Sequence, residues 1–418
     1  MLAAAFVPAA CGSLAPVKPL RRGRAPRSIG ASAEGVRATP ELEWVVLRAF
    51  GGGAAAFRSP VDGAGAVDLA RRLALLPRLV HATGPERLEA ELGREAAREA
   101  LSEYRESALS AAKLVALARL AGRVAAANGL QVVALKHAAL CLSGVSSPAA
   151  RGAVDADLLV SDADAARLLE ALAGAGIAVS TAPAYEHQHR PLVHPRAGML
   201  ELHRHLPGVR PAPGEPAMRF EDVAALGLAS PLSAGEPGLL LPRPGLLLAH
   251  ALAHGLFQHG LEPTAYPAWK LLGDLDDLRR ASGRGLLDEA LPFVAAEVEE
   301  GDARAAWELP ALLGSEGAAG VLARREAPEA RLLAHLVRGA LDPRYPATLK
   351  LRNLAASPAD RGGLAGLLRN AWHALAIGPS QARVLYGADT PAKYALALAA
   401  RPFHLAARLV RYLFASRS

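Results

Sequence analysis

Over residues 40–128 apolar side chains recur at spacings of three and four: Leu69, Leu73 and Leu76, then Leu88 and Leu92, then Leu114, Leu117 and Leu120. That rhythm places them on one face of successive helices and predicts a helical domain there. From residue 129 to 206 the rhythm shortens. Residues 130–135 predict a strand, 137–142 a short helix, 154–160 a strand, 163–172 a helix and 177–180 a strand. Residues 191–194 and 199–203 flank Pro195-Arg196-Ala197-Gly198, a turn-rich tetrapeptide that predicts a hairpin. Together they read as a small mixed α/β unit. Residues 207–244 are dense in Pro and Gly, including Arg210-Pro211-Ala212-Pro213-Gly214-Glu215-Pro216, and read as a connector with one helix near 221–226. A helical pattern returns over 245–418. The expected fold class is therefore α+β, a small mixed-sheet domain at 129–206 between helical domains at 40–128 and 245–418.

Length and composition support this division. At 418 residues the chain exceeds a domain of about 100–200 residues, and no fixed-period repeat runs through it. It is 51% hydrophobic but only 5% aromatic, a bias that favours helices. The net charge of +7 suits a phosphate-bearing ligand. The excess is spread thinly, and no basic run with interleaved aromatics announces a nucleic-acid surface. Cys11 and Cys141 are the only cysteines, which excludes a disulfide framework and a cysteine zinc site and makes a reducing cytoplasm the expected compartment. No apolar run reaches the roughly 18–20 residues of a membrane span. Residues 1–39 are rich in Arg, Ala and Pro with no acid before Glu34; they faintly resemble a transit peptide and read as a disordered tail or an over-extended start.

The chemistry concentrates in the α/β unit. In a strand over 154–160, alternation turns Asp155 and Asp157 to one side and Val154, Ala156 and Leu158 to the core. Asp is disfavoured in strands and two adjacent carboxylates repel, so the pair points to a divalent cation; Glu201, between Leu200 and Leu202 on the hairpin, supplies a third acid. Magnesium or manganese takes such oxygen donors and keeps room for substrate phosphates, which suits a nucleoside triphosphate. Lys136 closes the first strand and Arg151 stands four residues before Asp155, both placed to meet phosphate.

Histidines gather nearby, with His187, His189, His194, His203 and His205 in and around the hairpin. Two His-x-His pairs are compatible with zinc if they converge, and His203 is a candidate substrate contact. His250 and His254 are spaced as in a zinc-protease helix but lack the adjacent glutamate base. Lys270 and Asp274, four apart on a predicted helix, read as a surface ion pair or as part of a nucleotide cleft.

Leu135-Lys136, Arg151, the Asp155-x-Asp157-Leu158-Leu159-Val160 strand, Leu200-Glu201-Leu202-His203, the His-rich helix and Trp269 to Asp274 together resemble the uncharacterised nucleotidyltransferase family of the DNA polymerase beta-like superfamily. The segments from Ile377 through Tyr386 and Arg401-Pro402 are similar to that family's ending. The resemblance implies a mixed, twisted sheet backed by helices, with a cleft between sheet and helical domain. It implies transfer of a nucleoside monophosphate from a triphosphate to an acceptor hydroxyl or phosphate, with release of pyrophosphate. Asp155 and Asp157 would hold magnesium (or manganese), Glu201 would bind the metal nearest the acceptor and help deprotonate it, and Lys136 and Arg151 would offset charge on the leaving pyrophosphate.

Two positions depart from the family pattern: His137 stands where a glycine is usual, and Glu201 where an aspartate is usual. They keep open a second reading, a catalytically degenerate protein that binds nucleotide or a biosynthetic partner without turnover. A third, a zinc hydrolase built on the histidines, also remains. The acceptor is not legible, a small molecule or protein being preferred to nucleic acid.

Overall fold

The computed structural model describes residues 33–51, 61–180, 187–258, 268–341 and 390–414. Helix α1, Pro40–Phe50, starts where Pro40 presets φ and the Thr39 hydroxyl accepts from the Leu42 amide at 3.2 Å. After α2 (Gly63–Arg72), α3 (Leu76–Thr83) and α4 (Pro85–Leu92) comes α5, Arg94–Ala127, 34 residues and roughly 50 Å long. Its buried side is mostly alanine, with Ala111, Ala118, Ala121 and Ala125 beside Leu114 and Leu117. Small side chains let its backbone lie close to whatever it covers.

What it covers is a seven-stranded mixed sheet. The strands are β1 (Val132–Ala134), β2 (Asp155–Leu159), β3 (Ala178–Val179), β4 (Leu192–His194) and β5 (Gly198–His203), with α6 (Lys136–Leu142) and α7 (Ala165–Gly174) between them. The short β6 (His205–Leu206) and β7 (Met218–Arg219) pair separately, and α8 (Phe220–Ala225), β8 (Ala229–Pro231) and β9 (Leu239–Pro242) follow. The sheet order is β3-β4-β5-β2-β1-β9-β8. β2 is parallel to β5 and antiparallel to β1; β1 is parallel to β9. The hairpin expected around 195–198 is the antiparallel β4–β5 pair. The stretch expected as a connector does more, because β9 and β8 extend the sheet beyond β1. Val154, expected in the core, precedes β2 and is 75% exposed.

Two glycines set the spacing of helix and sheet. A Cβ on Gly122 of α5 would stand 2.5 Å from Leu239 Cβ, and one on Gly238 would meet the Gly122 carbonyl and come within 2.8 Å of Ala126 Cβ. The same Gly238 carbonyl accepts from the Val132 amide at 2.9 Å, so the close approach continues directly into β1.

The remaining helices are α9 (Pro244–Leu252), which runs on as a π-helix over Ala253–Gln258, α10 (Ala268–Ser282), α11 (Leu286–Ala290), α12 (Glu300–Ala323), α13 (Pro328–Leu341) and the helix Pro391–Phe414. α1 packs on α12 and α10, and Arg78 of α3 bonds both Asp276 and Asp277 of α10, so N-terminal and C-terminal helices share one layer. One buried cluster extends from Ala33 to Val337, joining the central strands to the helices from α1 to α13. Residues 377–386, likened above to the family's ending, lie outside the described residues, as do Cys11 and the rest of residues 1–32.

Candidate active site

β1 ends at Ala134, and the chain turns at Lys136 into α6 with φ of +44° at that lysine. A side chain in left-handed backbone costs about 1–2 kcal/mol, and such residues cluster at functional sites. The turn is tied to β2, where the Leu135 amide donates to the Asp157 carbonyl at 2.9 Å. Lys136 Nζ then donates to Asp157 Oδ1 at 2.8 Å. The parallel register sets Asp157 opposite Glu201, Asp155 opposite Met199 and Leu159 opposite His203. Asp155, Asp157, Glu201 and His203 therefore share one side of the sheet, while Ala156, Leu158, Leu200 and Leu202 fill the core on the other.

His203 Nε2 lies 2.9 Å from the same Asp157 oxygen and 3.9 Å from Glu201 Oε2. The Gln188 side chain hydrogen-bonds Glu201, and residue 188 is itself bridged to His203. Nothing in the sequence pattern singled out Gln188, because its strand-like bridge is a single isolated pair. The metal-ligating atoms of Asp157, Glu201 and His203 all lie within 4.8 Å of one another. Asp155 is half-buried beside them and makes no hydrogen bond to another described residue.

The charges respond to this crowding. Burial alone would raise the Asp157 carboxyl, but Lys136 and the hydrogen bond with His203 hold it well below the usual carboxylate range. Burial and the neighbouring Asp157 push Asp155 up. Glu201 is pushed up to about 7 by burial and then by the charges of Asp157 and Asp155. Burial would lower Lys136, yet Asp157 keeps it raised and charged. Burial lowers His203, leaving a neutral ring at neutral pH. The result is a cluster rich in negative charge with only Lys136 paired directly into it. A divalent cation fits this donor set, since two carboxylates and an imidazole converge at Asp157, Glu201 and His203, with Asp155 on the same side of β2 and without a hydrogen bond to another described residue.

Arg151 sits at the rim in a different arrangement from the one expected. Its Nε and second terminal nitrogen reach Asp274 of α10 at 2.5 and 3.0 Å, and both side chains are buried. Asp274 thus takes Arg151 as its partner instead of Lys270. Helical spacing puts Lys270 on the same face of α10 as Asp274. It has no ion pair among the described residues, and burial followed by Arg151 pushes it down to about 7. Lys136, Arg151 and Asp274 line a narrow cleft with His250, His254 and Leu278.

The other histidines do not assemble a site of their own. His187 lies 5.5 Å from His203 and 6.3 Å from His205, ring centre to ring centre, and His250 lies 6.2 Å from His254. His194 accepts two backbone amides at its turn, from Arg196 and Ala197. Among the described residues no group of several histidines converges as a metal set. His137 is buried with its ring toward the Ala111 carbonyl and 3.6 Å from Cys141 Sγ, so the side chain that replaces the usual glycine points into the helices, away from the acids.

No curated protein and no solved structure matches the chain. A family model does, over residues 59–306, which is more than half the chain and takes in every residue of the cluster just described. With its Lys136 turn, its Asp155-x-Asp157 strand and Glu201 set in parallel register, the chain belongs to the uncharacterised nucleotidyltransferase family.

Proposed function

We propose that the protein transfers a nucleoside monophosphate from a nucleoside triphosphate to an acceptor hydroxyl or phosphate, with magnesium or manganese at Asp155, Asp157 and Glu201. The observation that carries this is the parallel register placing Glu201 opposite Asp157, two residues along from Asp155 and beside Lys136. The bound cation would neutralise phosphate oxygens and hold the attacking and leaving oxygens in line. Lys136 is the cation nearest the acids and turns to the triphosphate as negative charge arrives. Arg151, fixed by Asp274, and Lys270 one helical turn before Asp274 present further positive charge to the departing pyrophosphate. Glu201, at about 7, is matched to taking a proton from the acceptor at its carboxylate oxygen. His203 holds Asp157 in place through Nε2.

One observation favours the non-catalytic alternative: Asp157 already accepts from both Lys136 and His203, an arrangement that neutralises the strand without a metal. Thermal unfolding with each ribonucleoside triphosphate, with and without magnesium or manganese, separates the outcomes when combined with a pyrophosphate-release assay. A ligand at about 100 times its dissociation constant adds roughly 2.7 kcal/mol to native stability. Metal-dependent stabilisation with pyrophosphate release supports turnover; stabilisation without release across a panel of small-molecule and protein acceptors supports the binder. No stabilisation by any nucleotide, with either metal, refutes both.

A further inference from the structure

A second cavity lies outside the acidic cluster. It holds about 240 Å³ between α1, α3, α10 and residues 145–150 that follow α6, and Arg78, His81, Ser146, Ser147, Asp277 and Arg280 supply its polar lining. Pockets for drug-sized ligands run to about 300–1,000 Å³, so the occupant is smaller; at about 30 Å³ per water the space equals roughly eight waters. The walls are fixed without any ligand. Arg78 donates to Asp277 at 2.7 Å, to the Ala49 carbonyl at 3.0 Å and to Asp276, while Arg280 donates to Asp276 at 2.9 Å and to the Phe50 carbonyl. This cavity and the narrow cleft are neighbours on the same elements: Ala150 and Asp277 line the one, Arg151 and Asp274 the other.

What these groups leave unused defines the ligand. Ser146 is only 7% exposed, and its hydroxyl has no hydrogen-bond partner among the described residues. A buried hydroxyl left unpaired is costly, and a ligand that pairs with it removes the cost. Asp277 keeps Oδ2 as an acceptor, Arg280 keeps Nη1 as a donor, and His81, whose Nδ1 is 3.0 Å from the Tyr104 hydroxyl, keeps Nε2. Ser147 Oγ accepts from the Ala149 amide and retains its proton to donate. Formal charge cancels across the lining, Arg78 and Arg280 against Asp276 and Asp277. An anion would meet the Asp277 carboxylate and an ammonium would meet Arg280, whereas a neutral hydroxyl both donates and accepts at one atom.

We propose that this cavity binds a small neutral polyhydroxylated molecule, the size of a single sugar or cyclitol, through Ser146, Asp277 and Arg280. The inference does not rest on the nucleotidyl-transfer reading.

The test is ligand-observed saturation-transfer NMR on the full chain with glucose, ribose and myo-inositol, in chelator and without nucleotide, so that its outcome is separate from that of the active-site reading. Saturable binding of at least one of the three is expected. Glucosamine and glucuronate, the glucose ring carrying a cation or an anion, should bind no better than the neutral probes. Ser146→Ala should weaken binding roughly three- to tenfold, the net worth of one hydrogen bond, while the unfolding midpoint of the ligand-free protein stays or rises because an unpaired hydroxyl is gone. Ala82→Leu, which adds bulk to the half-buried wall, should abolish binding. The proposal is overturned if no neutral probe binds saturably at up to about 50 mM, if either variant binds as wild type does, or if glucosamine or glucuronate binds more tightly than all three.

Discussion

Asp155 and Asp157 lie two residues apart on one strand, yet replacing them should have opposite effects on the metal-free fold. By the rise of a strand their positions are roughly 6.7 Å apart. At an effective dielectric of about 20 their mutual repulsion is of order 2.5 kcal/mol. Lys136, Lys270 and Arg151 offset part of this for Asp155, but its carboxyl is still pushed up, so the charged form remains disfavoured on balance. Asp155→Asn should therefore stabilise the metal-free protein by about 1 kcal/mol, an increase of roughly 2 °C in the unfolding midpoint. Asp157→Asn removes the acceptor of both Lys136 and His203 and strands a buried ammonium, at a cost of about 3 kcal/mol. Urea and thermal unfolding in the presence of a chelator read both. Added magnesium and triphosphate should then stabilise wild type and leave Asp155→Asn unmoved, the exchange of stability for function expected at a charged site. If both variants lose stability alike in chelator, or Asp155→Asn falls below wild type, the picture of an uncompensated Asp155 beside a compensated Asp157 is wrong.

Three further outcomes are expected. Asp274→Ala removes the two-pronged carboxylate partner of buried Arg151 and should cost about 3–5 kcal/mol by denaturant titration, while Arg151→Met together with Asp274→Leu should recover most of it; equal losses would refute the pairing. Lys270, lowered from 10.5 to about 7, binds fewer protons when folded than when unfolded between those values. Stability should accordingly rise with pH from about 7 to about 10.5, a slope that Lys270→Met flattens, and nucleotide should slow acylation of this amine at pH 8. Glu201, raised to about 7, is protonated in the folded metal-free state well above the usual carboxylate range, so manganese affinity measured by calorimetry should fall from pH 8 to pH 6, with protons released to the buffer as the metal binds; a pH-independent affinity would exclude Glu201 as a ligand.

Much of this site was legible because strand alternation is local. The same-side placement of Asp155 and Asp157, and the inward Leu200 and Leu202 around Glu201, follow from period-two patterning alone. The pairing of Arg151 did not follow, because its partner is 123 residues away, and local spacing offered Lys270 as the nearer mate for Asp274. β9 was hidden for a similar reason: four residues, Leu239–Pro242, in a Pro- and Gly-rich stretch become a strand only when β1 is present to pair with them. The positive φ of Lys136 carried no sequence signal, since a lysine there does not announce a left-handed turn as a glycine would. Nor could the pattern tell that His137 turns inward to Ala111 and Cys141.

Gly122 and Gly238 take no part in the acidic cluster, yet they constrain how this chain is able to diverge. A side chain at either would push α5 off the β9 edge, and the displacement would pass through the Val132–Gly238 bond into β1, whose end carries Lys136. Loss of one glycine is then tolerable only alongside a compensating change across the contact, which couples two positions 116 residues apart in inheritance. Sequence drift around the cleft should be freer than drift at this remote seam.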